Sequence, residues 1–468
     1  MGSVHFIPFE KIPKASRICL YGAGLIGRRY YEQNMLLEWC DITLVVDKNY
    51  SSIDNFPTRV FSPEIIKNKA NQIDYVLIAV QEKNAKRSIL GFLHQSGIKD
   101  DRVIDSTEEY LFKNDCNHID YLKGDAGEQT IQLAWCISRA MGDQVISLKP
   151  YQALVELCPS IVTDVYCNGS QTAESIYFNQ KGLRSIKREA SPTDCSKYDL
   201  VLEVGFSLFL KAVRYKTLLR VCPELCDKIR KLQDYQENKS PDTGVYPYTS
   251  RIIMDRAKFL GKNRYTMLAE PGLFDYKDKR VEIYIDNDYE DRYKELCIEG
   301  KYITFNCEAG PAPGTGLKQI KEWPRENYVE LLKLFQSKFP EIKIIQLGGK
   351  NAVRIDGADK YILGESLEVV KYILKGSIIH IDCESGLPHL ATQLGTKCCV
   401  LFGPTPIWFI GYEENINIKS EVCYGCKGLV SDWYSNCLKY DEPICMNSIK
   451  PQVVFEEIIN YLQWRTEK

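Results

Sequence analysis

Residues 378–412 read IIHIDCESGLPHLATQLGTKCCVLFGPTPIWFIGY, and the predicted fold class rests first on the pattern in these residues. Two short apolar runs, Ile378–Ile381 and Cys398–Phe402, are separated by a helical pattern over Leu387–Gln393. Alternation of strand, helix and strand predicts two parallel strands with a helix covering the sheet. The same alternation recurs in the rest of the chain, so the sequence predicts an α/β protein.

The turn after the first of these strands is small and polar. It reads Glu384-Ser385-Gly386 and opens the helix that carries His389. A helix N-terminus presents free backbone N–H groups, and a small turn lets an anion approach them closely. Because His389 lies one turn into the helix, it shares a face with Ser385. These residues predict a phosphate-binding site.

Two further segments are predicted to border this site. Upstream, Lys318 and Lys321 precede a helix that begins near Arg325, and a lysine there can pair with a diphosphate. Downstream, Gly403-Pro404-Thr405 follows the second strand, at the sheet edge where α/β folds bind ligands. A single lysine of this kind is usually a solvated charge, and a single Gly-Pro is usually a plain turn. The prediction that they border the phosphate site rests on their lying at the same edge of the predicted sheet.

Three motifs here resemble those of the heptosyltransferases, glycosyltransferase family 9. In order they are Lys321-Glu322-Trp323, Glu384-Ser385-Gly386-Leu387-Pro388-His389 and Phe402-Gly403-Pro404-Thr405. The resemblance implies a GT-B fold of two Rossmann-like lobes, with a nucleotide-sugar held by the C-terminal lobe. Glu384 stands where the family usually has an aspartate, and this departure leaves the nucleotide and the sugar open.

The resemblance also implies a general base. The family places it in a Gly-Asp pair after the first strand of the N-terminal lobe, and here Gly142-Asp143 precedes a helical stretch. Asp143 would then take the acceptor proton in an inverting transfer. Lys321, the helix end at Ser385–Gly386 and His389 would stabilise the leaving diphosphate, so no catalytic metal is expected.

A glycine motif near the N-terminus predicts a second nucleotide site. It is Gly22-Ala23-Gly24-Leu25-Ile26-Gly27, which follows the predicted strand Arg17–Tyr21 and opens a helix, as the dinucleotide fingerprint requires. Asp47 ends the next strand and could accept a hydrogen bond from a ribose. The candidate binding residues are Gly22, Gly24, Gly27 and Asp47. Since only about four strands surround the motif, a partial or lost site stays open and NAD(P) is not expected.

Four of the 18 cysteines lie close together in sequence: Cys423, Cys426, Cys437 and Cys445. A Cys-x2-Cys pair with two further thiolates suits a tetrahedral sulfur site for iron or zinc. The group also resembles the four-cysteine iron finger of the family's autotransporter-modifying branch. With every position filled by sulfur, the metal is predicted to be structural. Four reduced cysteines under a loop are the alternative.

Composition limits the remaining classes of function. The 468 residues carry 60 Lys+Arg and 62 Asp+Glu, and a net charge of −2 provides no basic surface for nucleic acid. No apolar run reaches the length of a membrane span, and the N-terminus lacks the apolar core of a signal peptide. A cytoplasmic protein without an integral membrane segment is therefore expected.

The sequence thus predicts a small Rossmann-like accessory domain followed by a GT-B pair of lobes. The accessory domain spans 1–115, the acceptor lobe 116–297 and the nucleotide-sugar lobe 298–468, with the cysteine group at 423–445. The predicted activity transfers a sugar from a nucleotide-diphosphate donor to a glycan, lipid-linked or protein acceptor. An NAD(P)-dependent oxidoreductase and a nucleotide-binding scaffold, both using the Gly22–Gly27 motif, are the alternatives. The acceptor and any homo-oligomer are left open.

Overall fold

The chain forms two units. The computed structural model describes residues 7–8, 11–105, 119–124, 129–138, 140–168, 171–238, 248–269, 272–276, 278–310, 319–429, 433–437, 439 and 442–466. The first unit comprises Met1–Lys113 with the segments Leu429–Ser431 and Cys437–Asp441, and the second unit comprises the rest. Lys318, a predicted donor-binding residue, lies outside the described residues.

The first unit is built on one parallel sheet. Its strands are β1 (Arg17–Tyr21), β2 (Asp41–Val46), β3 (Val60–Phe61), β4 (Tyr75–Ile78) and β5 (Val103–Asp105). Its helices are α1 (Leu25–Leu37), α2 (Ile65–Lys69) and α3 (Lys83–Gln95). The strands lie in the order β3-β2-β1-β4-β5, so the order reverses between β1 and β4. Aliphatic side chains fill both faces of these strands, as expected of a sheet covered by helices.

The N-terminal lobe of the second unit has a mixed sheet. Its strands are β6 (Asp120–Tyr121), β7 (Ile131–Ile137), β8 (Ile161–Cys167), β9 (Leu183–Lys187), β10 (Leu200–Val204) and β11 (Leu208–Val213). Its helices are α4 (Met141–Leu157), α5 (Thr172–Ile176), α6 (Tyr215–Val221), α7 (Pro223–Asn238), α8 (Tyr248–Phe259) and α9 (Glu290–Glu295). The order is β6-β11-β10-β7-β8-β9, and β11 runs antiparallel to β10.

The C-terminal lobe has a fully parallel sheet. Its strands are β12 (Tyr302–Phe305), β13 (Lys343–Gly348), β14 (Lys360–Leu363), β15 (His380–Cys383), β16 (Cys398–Phe402) and β17 (Ile416–Lys419). Its helices are α10 (Arg325–Lys338), α11 (Leu367–Gly376), α12 (Gly386–Gln393), α13 (Ile407–Ile410), α14 (Ile444–Asn447) and α15 (Pro451–Thr466). The order β14-β13-β12-β15-β16-β17 is that of a doubly wound dinucleotide fold.

This architecture confirms the predicted fold class. In each of the three sheets, the order in which successive strands are added reverses beside one strand: β1, β7 or β12. This reversal is the topology of a Rossmann-like sheet. Two such sheets within the second unit form the GT-B pair. Among the described helices, none is both long enough and apolar enough to cross a bilayer.

Candidate active site

The site lies where the strand order of the C-terminal lobe reverses, between β12 and β15. Asn306 follows β12, and Glu384 and Ser385 follow β15, so all three lie at the carboxyl edge of the sheet. Ligands of open α/β sheets bind at this edge. From the other lobe, the first turn of α4 approaches the same edge and brings Asp143 with it.

The first turns of α4 and α12 interlock through two glycines. A Cβ added to Gly142 would lie 2.9 Å from Cδ2 of His389, and one added to Gly386 would lie 2.7 Å from Cβ of Met141. Real side chains do not tolerate such distances, so neither position has room for a larger residue. The N-termini of α4 and α12 therefore lie close together, and the free N–H groups of both first turns face the same small region.

A buried ion pair borders this region. Nζ of Lys321 lies 3.4 Å from Oε2 of Glu384, and the two side chains are 15% and 10% exposed. The Thr405 hydroxyl donates to the same oxygen at 2.9 Å. Burial alone would raise the pKa of Glu384, but the attraction of Lys321 outweighs it and holds that pKa below its ordinary value. The pair is therefore ionised at neutral pH.

Ser385 is oriented by a carboxylate that the sequence motifs did not single out. Its hydroxyl donates to Oδ2 of Asp382 at 2.6 Å. The amide of Asn306 donates to both oxygens of Asp382, at 3.2 and 3.1 Å. Because Asp382 is fully buried, these bonds satisfy a charge that would otherwise be costly. From the sequence, Asp382 is predicted only to be the last residue of a strand, with no functional role.

His389 is a neutral side chain at physiological pH. Its Nδ1 lies 2.8 Å from the Tyr412 hydroxyl, which in turn contacts the Tyr265 hydroxyl. Burial lowers the pKa of His389 to about 4, against the opposing attraction of Glu384 and Asp143. The imidazole can therefore donate one hydrogen bond to a ligand but cannot contribute a positive charge near neutral pH.

We expect this buried histidine to make stability depend on pH. The unfolded chain has the higher histidine pKa, so it binds the extra proton first as the pH falls, and stability is lost below about pH 6.5. Between about pH 7.5 and 5 the wild-type protein should lose about 2 kcal/mol of unfolding free energy that His389→Gln retains. Urea denaturation at both pH values measures this difference, and equal losses in the two proteins would contradict it.

The predicted base, Asp143, lies in the first turn of α4 with its side chain 42% exposed. One of its oxygens is 3.5 Å from Nη2 of Arg264. The guanidinium is itself fixed by donating to the carbonyls of Gly205 at 2.7 Å and Phe206 at 3.2 Å. Asp143 therefore has an accessible carboxylate held by a buried cation. Arg264 was not predicted, since it lies in the stretch where the motifs are weakest.

Lys427, like Asp382 and Arg264, was not predicted from the sequence. Its backbone N–H donates to the carbonyl of Pro404 at 2.9 Å, and its ammonium lies 5.3 Å from the ring centre of Trp433. Burial lowers the pKa of Lys427, while Glu384 opposes that shift. In sequence this lysine directly follows Cys426, within a cysteine pattern that predicts a metal site and not a phosphate contact.

In the first unit, the glycine motif folds as predicted into the turn between β1 and α1. A Cβ on Gly27 would lie 1.8 Å from the carbonyl oxygen of Gly22, so this close packing demands glycine. Gly22 also has a φ of +111°, which favours glycine. Asp47 accepts from the N–H groups of Ala23 and Asn49, both at 2.8 Å. The carboxylate thus stabilises the turn, and nucleotide binding by Gly22, Gly24, Gly27 and Asp47 stays a prediction.

The predicted metal site is not confirmed. Cys423, Cys426 and Cys437 are partly buried, Cys445 is buried, and none of the four forms a disulfide. Within the described ranges, no group of three or more His, Cys, Asp or Glu side chains is arranged to hold a metal ion.

Comparison with known proteins agrees with the motifs in the C-terminal lobe. Residues 257–428 match the family model for glycosyltransferase family 9, heptosyltransferase. This part of the chain is therefore similar to a glycosyltransferase family 9 domain. The matched residues include the ion pair, His389, Thr405 and Lys427, whereas Asp143 precedes them.

Curated and solved relatives are distant. Lipopolysaccharide heptosyltransferase 1 of Campylobacter coli is 28% identical over 144 residues, which span 27% of this chain and 41% of that protein. The structure of E. coli ADP-heptose heptosyltransferase II matches with 15% identity and a TM-score of 0.44, covering 72% of this chain and 100% of that one. An iron-containing dodecameric glycosyltransferase, TibC of enterotoxigenic E. coli, matches with 13% identity and a TM-score of 0.46, covering 72% and 80%.

Proposed function

We propose that this protein is a glycosyltransferase that moves a sugar from a nucleoside-diphosphate donor to an acceptor hydroxyl. The observation that supports it best is the opposition of two helix ends. The first turn of α4 offers the accessible carboxylate of Asp143, and the start of α12 offers free N–H groups beside Lys321. A base and an anion-binding edge on opposite sides of one small region suit an inverting displacement.

In the proposed reaction, the Asp143 carboxylate takes the proton of the acceptor hydroxyl. The acceptor oxygen forms a bond to the anomeric carbon of the sugar while the bond from that carbon to the diphosphate breaks. Lys321, the N–H groups of Ser385 and Gly386, and the Nε2–H of neutral His389 stabilise the negative charge that the diphosphate gains. Every proton and electron pair is then accounted for without a catalytic metal.

The donor is proposed to bind the C-terminal lobe at 298–468 and the acceptor the N-terminal lobe at 116–297. The binding edge would comprise the residues predicted from the motifs: Lys318, Lys321, Glu384, Ser385, Gly386, His389, Gly403, Pro404 and Thr405. Because the family 9 model describes heptosyltransferases, an activated heptose is the first donor to test. A glycan, a lipid-linked glycan and a protein side chain are the acceptor classes to test.

Nucleoside diphosphates test this proposal before the sugar is known. At about 100 times its Kd, the matching compound among ADP, UDP, GDP and CDP should stabilise the protein by about 3 kcal/mol. Thermal melting measures the shift, with the nucleosides alone as controls. Stabilisation by NAD(P) and by none of the four diphosphates would instead favour an oxidoreductase using the Gly22–Gly27 motif.

The iron or zinc at the cysteine group stays a prediction, and direct metal analysis tests it. Protein purified without chelator should contain about one iron or zinc per chain if Cys423, Cys426, Cys437 and Cys445 bind it. Changing Cys423 and Cys426 together to serine should remove that metal. A folded wild-type chain free of both metals would show that these cysteines are ordinary reduced thiols.

A further inference from the structure

The loop that carries Lys427 is fixed to the edge of the active site by its backbone. The N–H groups of Gly425 and Lys427 donate to the carbonyls of Gly403 and Pro404, at 3.1 and 2.9 Å. A Cβ on Gly403 would lie 2.7 Å from Sδ of Met446, so the side chain of Met446 packs tightly against this strand end. Two hydrogen bonds and close packing therefore set where the lysine stands relative to the strand end after β16.

The ammonium of Lys427 forms no hydrogen bond and no ion pair within the described part of the chain. The other two described cations of the site each have a carboxylate partner. Lys321 pairs with Glu384 at 3.4 Å, and Arg264 pairs with Asp143 at 3.5 Å. Glu384 and Asp143 attract Lys427 while Lys321 and Arg264 repel it, and Lys427 forms no ion pair with either carboxylate.

The contact with Trp433 does not replace a counter-ion. The ammonium lies 5.3 Å from the ring centre, where a cation–π attraction is worth about 0.5–2 kcal/mol. An indole face supplies no hydrogen-bond acceptor lone pair and no net charge. A partly buried ammonium held against an aromatic ring can still donate its three N–H groups to a ligand.

We infer that Lys427 binds the diphosphate of the donor, as a second lysine beside Lys321. The inference rests on the proposed function and deepens it. A nucleoside diphosphate supplies the anionic oxygens that the Lys427 ammonium does not contact among the described residues, and a lysine recognises phosphate as a point charge. The cysteine-bearing loop would thereby have a direct part in donor binding through the residue that follows Cys426.

Binding of ADP, UDP, GDP and CDP to Lys427→Met tests the inference by titration calorimetry. The variant keeps the length of the side chain and loses its charge, so diphosphate affinity should fall about 10- to 100-fold. Affinity for the corresponding uncharged nucleoside should change less than about twofold, since it has no phosphate. Lys427→Arg should retain most of the diphosphate affinity because it keeps the charge.

Lys419→Met is the matched control. Lys419 lies on the same segment, pairs with the exposed Glu421 at 2.9 Å and stands over the ring of Tyr424, so the variant loses the same charge and a similar contact. Its affinity for the diphosphates should equal that of the wild type. Melting of each unliganded variant reports whether it is folded, and Lys427→Gln is a second neutral substitution should Lys427→Met unfold.

Two results would overturn the inference, and they differ in whether the proposed function survives. If the wild type binds a nucleoside diphosphate and Lys427→Met binds it equally well, Lys427 is a structural lysine and the proposed function stands. If the wild type binds none of the four diphosphates, the proposed function and the inference fall together. A loss confined to diphosphates, with nucleoside binding kept, supports the inference.

Discussion

Replacing Asp143 by asparagine is expected to lower the rate of sugar transfer by about 100- to 10,000-fold, the usual contribution of a general base. Asparagine keeps the shape of the side chain and can still contact Arg264, so the fold of α4 should be unchanged. It cannot accept the acceptor proton. Because Asp143 lies across from the proposed diphosphate edge, the affinity for the nucleoside diphosphate should change less than about twofold.

Single-turnover kinetics with a saturating donor separates these two effects. Glu156→Gln is the matched control, since it removes an exposed carboxylate near the other end of the same helix. Its transfer rate should equal that of the wild type. Undiminished transfer by Asp143→Asn would remove Asp143 from the role of base, whereas a matching loss of donor affinity would make it a binding residue instead.

Breaking the Lys321–Glu384 ion pair should have the largest effect on stability. Both side chains are largely buried, so Lys321→Met leaves the Glu384 carboxylate, which is only 10% exposed, without its paired cation. Removing one partner of a buried pair costs about 3–5 kcal/mol of unfolding free energy. The same variant should also lose nucleoside-diphosphate binding, because the proposed phosphate contact goes with the lysine.

A double-mutant cycle distinguishes the charge from packing. In Lys321→Met with Glu384→Gln neither charge remains, and the neutral amide can still accept from Thr405. We therefore expect the double variant to recover most of the lost stability, to within about 1–2 kcal/mol of the wild type. Equal destabilisation of the single and double variants, measured by urea denaturation, would show that the loss came from packing.

Strands with strong apolar patterns could be predicted from the sequence almost to the residue. The run Cys398–Phe402 became β16 with the bounds predicted for it, and Arg17–Tyr21 became β1. The run predicted at Ile378–Ile381 became His380–Cys383, shifted toward a more polar end. Pairing with β16 explains the shift, since Asp382 and Cys383 lie opposite Val400 and Leu401 and are buried there.

The antiparallel strand β11 was not predicted. Its apolar segment, Leu208–Val213, directly follows β10, and a parallel α/β pattern would have required a helix between them. The edge strands β14 and β17 were missed as well, because each is four residues long and half buried. Short edge strands owe their conformation to the neighbouring strand, which a local sequence pattern does not contain.

The site was predictable only where its residues lie within motifs. Lys321 comes from one motif and Glu384 and His389 come from another, and the C-terminal lobe brings them to one sheet edge. Arg264 and Lys427 contribute charge to the same place from segments without a motif. Arg264 and Lys427 are positioned by hydrogen bonds to backbone carbonyls at strand ends, which exist only in the folded sheets. Composition and residue spacing therefore could not predict that these two residues lie in the site.

Turnover of a nucleotide-sugar library, followed by mass spectrometry, tests whether this protein transfers a sugar from a nucleotide donor. We expect the wild-type protein to release the nucleoside diphosphate from one donor class and to transfer its sugar to an added acceptor. Asp143→Asn should bind that donor and fail to transfer. A wild-type protein that is folded, binds nucleoside diphosphates and yet consumes no donor in the library would contradict the assignment as a transferase.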